Sequence, residues 1–389
     1  MNKERLFGLM KQEGIDAILA STPENVGYLT GFWMAVQQVA RWLETYALIT
    51  NSKEKPALIA SLYGFISHAD LIEPEALKLM PYGVFFVSEQ AIISKTDERI
   101  KKILSLEKSK SPLEALIRAI KDAKLESSVI GIENLTPLQT LEQLKGEFPR
   151  LRAKVLPHFF HRVRMIKTPD EVEKLRKSAS IIESAIDTMI ENLVEGISEI
   201  DAAKIARLEV VKAEADPMFT VVQFGMNSPH VDAQPTTNRL KKGDIVHIDA
   251  GCTFKHYHSD TARTVIYGSE PAPKHKKYFE AIINAERKAI EIARPGIKAT
   301  EIFDAMLAEM RKGIPHANRS NVGHGIGLEV WEPPLLIPGN DAVLEKEMVI
   351  NIEPPYIELG FAGLQVEDTL LITENGNEVL TTIDETLKV

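Results

Sequence analysis

The sequence contains a single cysteine, Cys252, and only 6% of its 389 residues are aromatic. One cysteine excludes a disulfide within the chain and is typical of proteins from a reducing compartment. Nowhere do about 18 apolar residues follow one another, as a membrane-spanning helix requires. The first 16 residues carry charges throughout and lack the apolar core of a signal peptide, so we expect a cytoplasmic protein.

Basic residues are too few for a surface that binds nucleic acid or an anionic membrane. The chain has 46 Lys and Arg against 55 Asp and Glu, a net charge of -9. We therefore expect neither of these partners. The composition, with 44% hydrophobic and 26% charged residues, is that of a globular protein, and the length favours two domains.

The first part of the chain alternates predicted helices and strands, which favours an α/β layer domain. Helices are predicted at 3–13, 112–124 and 137–146, and strands at 16–20, 46–50, 57–60, 129–132 and 154–156. The basic stretch HFFHRVRMIK, from His158 to Lys167, precedes a helix capped by Thr168, and we interpret it as a solvated linker helix. We therefore divide the chain into domains at 1–155 and 160–389.

The segment IVHIDAGCTFKHYHSDTARTV, from Ile245 to Val265, carries two aspartates on strands that are predicted to pair. With the turn centred on Phe254 and Lys255, Asp249 lies directly opposite Asp260 on one face of the sheet. Opposed like charges among apolar neighbours destabilise a sheet unless a cation compensates them. The hairpin therefore predicts a metal site.

A second segment repeats this arrangement 104 residues later. LKKGDIVHID, which ends at Asp249, aligns without gaps with LEKEMVINIE, which ends at Glu353. In each copy another carboxylate follows on the next strand, Asp260 in the first and Glu367 in the second. Two similar halves that face each other would bring four carboxylates to one centre. The alternative is a chance similarity between two apolar strands with lysine-rich leaders.

His324 lies in the glycine-rich stretch GHGIG, and its neutral imidazole adds one nitrogen ligand. The stretch does not fit a phosphate-binding loop, because it has neither a GxGxxG spacing nor the Lys-Ser/Thr pair of a P-loop. Four carboxylates and one histidine favour Mn, Fe or Co, with Zn also compatible. These ligands are too many for one ion, so we predict two divalent metal ions that share bridging carboxylates.

Several motifs together resemble the pita-bread metallopeptidases, the family of aminopeptidase P and prolidase. They are HIDAG, HSDTARTV, GHGIGLEV, NIEPP and VEDTLLITENGNEVLT, and the resemblance covers the chain from about Lys167 to its end. It implies an α/β (α+β) fold, in which 160–389 form a pita-bread catalytic domain with pseudo-twofold duplicated halves. More loosely, 1–155 resemble the creatinase-like α/β domain that precedes it. The family also implies a homodimer.

The resemblance further implies a role for each ligand residue. Asp249 and Asp260 hold one metal ion, His324 and Glu353 hold the other, and Asp260 and Glu367 bridge the two. Glu353 is then the general base for a metal-bridging hydroxide. The implied reaction is cleavage of the peptide bond before proline in a small peptide, by an Xaa-Pro dipeptidase or an aminopeptidase P.

The residues expected around the substrate partly depart from the family pattern. His230, in NSPHVDAQ, matches a family histidine near the substrate carbonyl, although a loop histidine that caps its own turn is the alternative. Trp331 replaces a histidine, Gln365 replaces an arginine and Pro355 replaces a glycine. Indole cannot shuttle a proton, so Trp331, which we assign to substrate binding, leaves open a hydrolase for another small amide or lactam. An inactive binding protein is disfavoured because all five ligand positions are retained.

Overall fold

The computed structural model describes residues 1–38, 40, 42–52, 54–73, 75–88, 94–381 and 387. The chain divides into two compact units, Met1–Val163 and Arg164–Val389. Each unit combines helices with sheet, so the predicted α/β (α+β) fold class is confirmed. The assignment of a creatinase-like domain to 1–155 and a catalytic domain to 160–389 stays a prediction. No helix among the described residues is long and apolar enough to cross a bilayer.

The first unit is built on one mixed sheet. Its helices are α1 (Lys3–Glu13), α2 (Pro23–Thr30), α3 (Leu62–Ser67), α4 (Lys95–Ser105), α5 (Pro112–Asp122), α6 (Leu138–Glu147) and α7 (Phe159–Arg164), and its strands are β1 (Ala17–Ala20), β2 (Tyr46–Thr50), β3 (Ala57–Ser61), β4 (Lys78–Tyr82), β5 (Val129–Ile132) and β6 (Arg152–Val155). The strand order is β4-β3-β2-β1-β5-β6, and α5 packs Leu116 and Ile120 into the core beside the sheet.

Strong local signals define several elements of this unit. Helix α1 ends at Gly14, whose φ of 64° is the left-handed conformation that glycine adopts without a steric penalty. Helix α5 starts with Pro112 after the capping residue Ser111, whose side chain accepts from Glu114 N. The sequence pattern did not predict α2, α3, β4 or α4. Helix α4 is mostly polar and buries only Ile103, so few apolar residues mark it in the sequence.

The second unit contains two larger sheets and a short ribbon. Its helices are α8 (Pro169–Glu191), α9 (Glu199–Lys212), α10 (Pro273–Ile292) and α11 (Ala299–Gly313), and its strands are β7 (Asp216–Phe224), β8 (Ile245–Phe254), β9 (Tyr257–His258), β10 (Thr261–Ile266), β11 (Gly323–Gly325), β12 (Glu332–Leu335), β13 (Val349–Ile352), β14 (Tyr356–Glu358), β15 (Ala362–Leu364), β16 (Asp368–Ile372) and β17 (Asn377–Val379). One sheet has the order β10-β8-β7 with β9 paired to β8, the other has the order β12-β11-β13-β16-β17, and β14 pairs with β15.

The two halves of this unit repeat the same contacts, as the sequence repeat at an offset of 104 residues predicted. Helices α8 and α9 pack on the β10-β8-β7 sheet, and α10 and α11 pack on the other large sheet. Leu240 exchanges two backbone hydrogen bonds, of 2.8 and 2.9 Å, with the turn at 196–197, and Leu344 exchanges the same two bonds, of 2.9 and 2.8 Å, with the turn at 296–297. The pseudo-twofold duplication is thus a property of the fold.

Glu367 lies where the two sheets meet. Its backbone N donates to Ala262 O at 3.1 Å, which joins the start of β16 to β10. The buried Arg263 guanidinium donates to Ala262 O at 2.9 Å and to Glu367 O at 2.8 Å, and forms an ion pair of 2.8 Å with Asp368. These bonds fix the backbone of one half against that of the other beside the predicted ligands.

The hairpin of β8, β9 and β10 differs in register from the prediction. Its two-residue turn is Lys255 and His256, one residue later than expected, with φ angles of 48° and 72°. Asp249 consequently lies opposite Ala262 and not opposite Asp260. Positive φ at both central residues matches the twist of a tight hairpin. The sequence did not reveal the position of this turn, because it lacks the Asn-Gly pair that usually marks a two-residue hairpin turn. The two aspartates still share a face, as diagonal neighbours.

Candidate metal centre

All five predicted ligand residues lie in one cluster, within strands of the second unit or directly beside them, and all but the half-buried Asp249 are buried. His324 Nε2 is 3.6 Å from Asp260 Oδ2, 3.8 Å from Glu367 Oε1 and 3.9 Å from Glu353 Oε1. Asp249 contacts Asp260 from β8 and lines the same cavity. The duplicated halves therefore bring the first carboxylate pair and the second to one centre.

The four carboxylates destabilise one another's charged forms. Burial raises the pKa of Asp249 to about 7 and that of Glu353 to about 8. Burial and the neighbouring carboxylates raise the pKa of Asp260 and that of Glu367 well above the usual range. Asp249 Oδ1 is buried without a hydrogen-bond partner among the described residues. A set of buried, under-paired carboxylate oxygens with one imidazole fits divalent cations.

His324 is held in the tautomer and orientation of a metal ligand. Burial lowers its pKa to about 4, so the imidazole is neutral at pH 7. Nδ1 donates to Gly325 O at 3.0 Å, which leaves the Nε2 lone pair directed at the carboxylates. The Trp331 ring stacks on the imidazole with a centroid distance of 4.8 Å and an interplanar angle of 22°.

The glycines around His324 allow β11 to lie between β12 and β13. A Cβ on Gly323 would lie 2.1 Å from Asn351 O, and its φ of 147° also disfavours a side chain. A Cβ on Gly325 would lie 2.4 Å from Pro333 O. The first three residues of GHGIG, Gly323–Gly325, are therefore a strand that two neighbours approach closely, which carries the imidazole into the cluster.

Asn351 supports the cluster from behind and was not predicted from the sequence. Its Nδ2 donates to Asp260 O at 3.0 Å and to Glu367 Oε1 at 2.9 Å, and its Oδ1 accepts from Thr369 Oγ1 at 3.0 Å. The side chain is fully buried. The signal that could have identified it is one amide within the apolar strand VINI, because a buried polar side chain needs partners.

A chain of buried side chains joins Asp249 to the loop that carries His230. Gln365 Nε2 donates to Asp249 Oδ2 at 3.3 Å, and Gln365 Oε1 lies 3.0 Å from His247 Nε2. On the other side, His247 Nδ1 lies 3.1 Å from Gln223 Oε1, and Gln223 Nε2 donates to His230 O. We call these residues the glutamine-histidine chain, and they orient Asp249.

A cavity of about 530 Å³ opens onto the carboxylates. Asp249, Asp260, Glu353 and Glu367 form its acidic wall. The remaining walls are of mixed character, and they include Val231, Asp232, Arg319, Asn321, Trp331, Pro355 and Ile357. A concave space of this size beside a cluster of perturbed carboxylates can hold a small polar substrate.

Residues 173–374 match the sequence model of metallopeptidase family M24. The chain belongs to this family. The Xaa-Pro dipeptidase of Pyrococcus horikoshii is 35% identical over 263 residues, which cover 66% of this chain and 74% of that protein. The Xaa-Pro dipeptidase of Lactobacillus delbrueckii subsp. lactis is 30% identical over 100% of this chain and 99% of that protein. The solved prolidase of Pyrococcus horikoshii OT3 covers 99% of both chains with a TM-score of 0.78 and 27% identity.

Membership of family M24 makes the chain a hydrolase of the metallopeptidase class and implies divalent metal ions. The donor set of this M24 chain fits such ions, because Asp260, His324 and Glu367 offer ligand atoms within 4.8 Å of one another. The resemblance to pita-bread metallopeptidases that the motifs indicated is confirmed. The role of each ligand residue stays a prediction.

The two residues predicted near the substrate of this M24 chain differ in their positions. Trp331 lines the cavity and remains 56% exposed. His230 is exposed and is not among the described residues that line the cavity, although Val231 and Asp232 are. His230 N donates to Asn227 O at 2.9 Å within its own turn. The roles of His230 and Trp331 stay predictions.

Trp331 is positioned by an ion-pair network that the sequence did not reveal. The next residue, Glu332, is buried and lies 3.1 Å from Arg164 Nη2 and 3.2 Å from Lys167 Nζ. Glu332 Oε1 also accepts from Leu328 N at 3.0 Å, which closes the turn before Trp331. We interpreted the basic stretch from His158 to Lys167 as solvated. This interpretation is wrong for Arg164 and Lys167, whose side chains are each 2% exposed.

Proposed function

We propose that the chain is a dinuclear metal-dependent Xaa-Pro dipeptidase that hydrolyses the peptide bond before proline. The observation that carries this proposal is the buried cluster of four carboxylates and His324 beside a cavity of about 530 Å³. Two relatives that cover two thirds or more of this chain are Xaa-Pro dipeptidases, which supports the same substrate class. Action on longer peptides, as by an aminopeptidase P, is the closest variant of this proposal.

In the proposed site Asp249 and Asp260 would hold one ion, His324 and Glu353 would hold the other, and Asp260 and Glu367 would be shared. When bound, two divalent ions supply a hydroxide at neutral pH and polarise the scissile carbonyl. Mn, Co or Fe suits this oxygen-rich set with one nitrogen, and Zn is compatible with it.

Glu353 acts as the general base in the proposed reaction. It lies at the cavity wall, and its Oε1 accepts from Asn321 Nδ2 at 3.4 Å. It takes a proton from the attacking water and passes it to the leaving nitrogen. His230 donates to the carbonyl oxygen as the tetrahedral intermediate forms, since the residues that follow it line the cavity. Trp331 contacts the substrate with its ring face.

Metal analysis and a substrate series test the proposal together. After treatment with a chelator and reconstitution with Mn, Co, Fe or Zn, we expect about two ions per chain. An Xaa-Pro dipeptide, an Xaa-Pro tripeptide and an Xaa-Ala dipeptide are then compared. Cleavage of the proline dipeptide supports the dipeptidase, cleavage of the tripeptide alone indicates an aminopeptidase, and full activity without metal would refute the mechanism.

A second candidate is hydrolysis of another small amide or lactam at the same site. Trp331 favours it, because the exposed indole covers His324 and cannot move a proton during cleavage. The metal-loaded protein would then leave all three peptides intact. A binding protein without activity is less well supported, because such a cluster of buried carboxylates destabilises the fold unless it is used.

We further propose that the enzyme is a cytoplasmic homodimer. The single cysteine, Cys252, is buried, which is compatible with a reducing compartment. The dimer is proposed from the resemblance to the pita-bread metallopeptidases alone. Light scattering of the purified protein measures its oligomeric state, and a monomeric mass at micromolar concentration would contradict this proposal.

A further inference from the structure

The segment 225–238, which we call the cavity loop, follows β7 and carries His230. Three of its residues line the cavity: Val231, Asp232 and Gln234. Of the residues in this loop, all of which the structure describes, only Ser228 and Pro229 are buried. Apolar packing therefore does little to fix the loop, and its position depends on hydrogen bonds.

Glu199 accepts hydrogen bonds from both ends of the cavity loop. It lies in the first turn of α9, and its side chain is fully buried. Its Oε1 accepts from Phe224 N at 2.9 Å, from Asn227 Nδ2 at 3.0 Å and from Asn238 Nδ2 at 3.1 Å. Its Oε2 accepts from Thr236 N at 2.9 Å and from Thr236 Oγ1 at 2.6 Å. One carboxylate thus holds the points at which the chain enters and leaves the loop.

These hydrogen bonds keep Glu199 ionised inside the protein. Burial raises its pKa, but the hydrogen bonds from Thr236, Phe224 and Asn238 outweigh burial and leave the pKa below its usual range. Hydrogen bonds to a charged acceptor are roughly twice as strong as those between neutral groups. Removal of such an acceptor leaves its buried donors without partners, which favours displacement of the loop toward solvent.

The other half of the duplicated fold lacks a carboxylate at the equivalent place. Glu199 N donates to Asn238 O at 3.0 Å, and Ala299 N donates to Ala342 O at 2.8 Å. Asn238 and Ala342 are related by the same offset of 104 residues that relates the two strand segments. Ala299 is fully buried at the start of α11 and thus takes the place of Glu199. The helix start therefore does not require a carboxylate, and Glu199 is an addition of the half that carries the cavity loop.

We propose that Glu199 is a positioning residue that ties the cavity loop to α9 and thereby places His230 beside the scissile carbonyl. This inference rests on the proposed function, because it takes His230 to be the donor to the carbonyl oxygen. The middle of the loop is held separately, since Gly363 N donates to Ser228 Oγ at 3.1 Å and Gln223 Nε2 donates to His230 O. Glu199 is not among the described residues that line the cavity, so it acts through the loop.

A double-mutant cycle between Glu199 and His230 tests this coupling. Glu199→Gln keeps the shape of the side chain but turns an NH2 group toward donors. We expect kcat on an Xaa-Pro dipeptide to fall about 10- to 100-fold, as for a displaced catalytic group, with a smaller change in KM. The same substitution in a His230→Ala background should cause little further fall. Independent losses in the double variant, or full kcat in His230→Ala, would overturn the proposal.

Asp201→Asn is the matched control, because it also turns a carboxylate into an amide in the first turn of α9. The exposed Asp201 accepts from Ser198 Oγ at 2.7 Å and from Lys204 Nζ at 2.9 Å, both within its own helix end. It should leave kcat unchanged. If Glu199→Gln does not fold, Thr236→Val replaces it as the test, because it removes one of the five bonds from the exposed side. A fall of about two- to tenfold in kcat then supports the proposal, and an unchanged kcat refutes it.

Hydrogen exchange distinguishes failure of this inference from failure of the proposed function. If the metal-loaded wild type cleaves no peptide, the peptidase proposal fails, but exchange in the cavity loop can still be measured. The amides of Ser228 and His230 donate to Gly225 O and Asn227 O, so they report on the loop and not on Glu199 itself. In Glu199→Gln we expect them to exchange at least about tenfold faster, while the amides of β8 keep their rates. Unchanged rates in the loop, or equal acceleration throughout the unit, would overturn the positioning role.

Discussion

Asp260 contacts Asp249 and lies 3.6 Å from His324, so it takes part in both the proposed metal binding and the mutual repulsion of the carboxylates. We predict that Asp260→Asn abolishes metal uptake and raises the thermal stability of the metal-free protein. Asn is neutral without a bound proton, so the folded metal-free protein no longer has to keep this buried carboxyl protonated, which stabilises it by about 1 kcal/mol, as is common when a functional site is neutralised. Metal analysis and calorimetry with a chelator measure the two effects. A variant that is destabilised without metal would contradict this account.

Trp331 tests whether proton transfer limits the reaction. Trp331→His places an imidazole over His324, where the indole now stacks at 4.8 Å. We expect at least about a tenfold gain in kcat on an Xaa-Pro dipeptide, within the range of general acid-base catalysis. Trp331→Phe keeps the stacking without a titratable group and should give no gain. If neither variant gains activity, Trp331 forms part of a pocket for a different substrate.

The turn of Lys255 and His256 determines the register of the hairpin and hence the diagonal placement of Asp249 and Asp260. Both turn residues have positive φ, which is unfavourable for side chains with a Cβ. We predict that Lys255→Asn with His256→Gly raises the free energy of unfolding by about 1 kcal/mol and leaves kcat unchanged. Alanine at both positions retains the Cβ and is the control. A fall in stability with Asn-Gly would mean that the side chains of this turn make stabilising contacts.

The same hairpin shows what periodicity along a strand can establish. Alternation correctly predicted that Asp249 and Asp260 share a face, because the side-chain period is two. It could not determine the register, since this depends on a turn without the usual Asn-Gly signal. Likewise, β2 and β5 were predicted with their observed bounds from short apolar runs, whereas the mostly polar helix α4, with few apolar residues, was not predicted.

The sequence pattern predicted the ligand residues of the site but not the residues that support them. The cluster itself was predictable because each ligand lies within a recognisable strand or directly beside one. The ion pairs of Glu332 with Arg164 and Lys167, by contrast, join positions about 165 residues apart. The glutamine-histidine chain spans 118 residues between His247 and Gln365. Such partners depend on the three-dimensional packing of the halves, which a pattern of apolar residues does not encode.

For the molecule as a whole, the pH dependence of stability should reveal whether metal is bound. In the metal-free protein the pKa values of Asp249, Asp260, Glu353 and Glu367 are all raised, with about 7 for Asp249 and about 8 for Glu353. The folded state therefore holds protons that the unfolded chain has lost, and the free energy of unfolding falls as pH rises through these pKa values. The histidines with lowered pKa act in the opposite direction, but only near and below pH 6.5, where the unfolded chain protonates them: His247, His256, His258, His275 and His324.

Between pH 7 and 9 the carboxylates consequently determine how stability depends on pH. Each proton that the folded state holds in excess of the unfolded chain lowers the free energy of unfolding by about 1.4 kcal/mol per pH unit. We therefore predict that the free energy of unfolding of the metal-free protein falls by about 1 to 3 kcal/mol per pH unit. Metal ions compete with these protons for the same oxygens, so the loaded protein should show a smaller loss, and loading it at pH 7 should release protons. The buried Glu286, which is not one of the proposed ligands and whose pKa is also raised, contributes to the loss in both series. Calorimetry at pH 7, 8 and 9, with a chelator and with Mn, measures the slopes. Equal slopes in the two series would mean that the carboxylates are already ionised in the folded chain, and the electrostatic reason for a metal centre at this place would be lost.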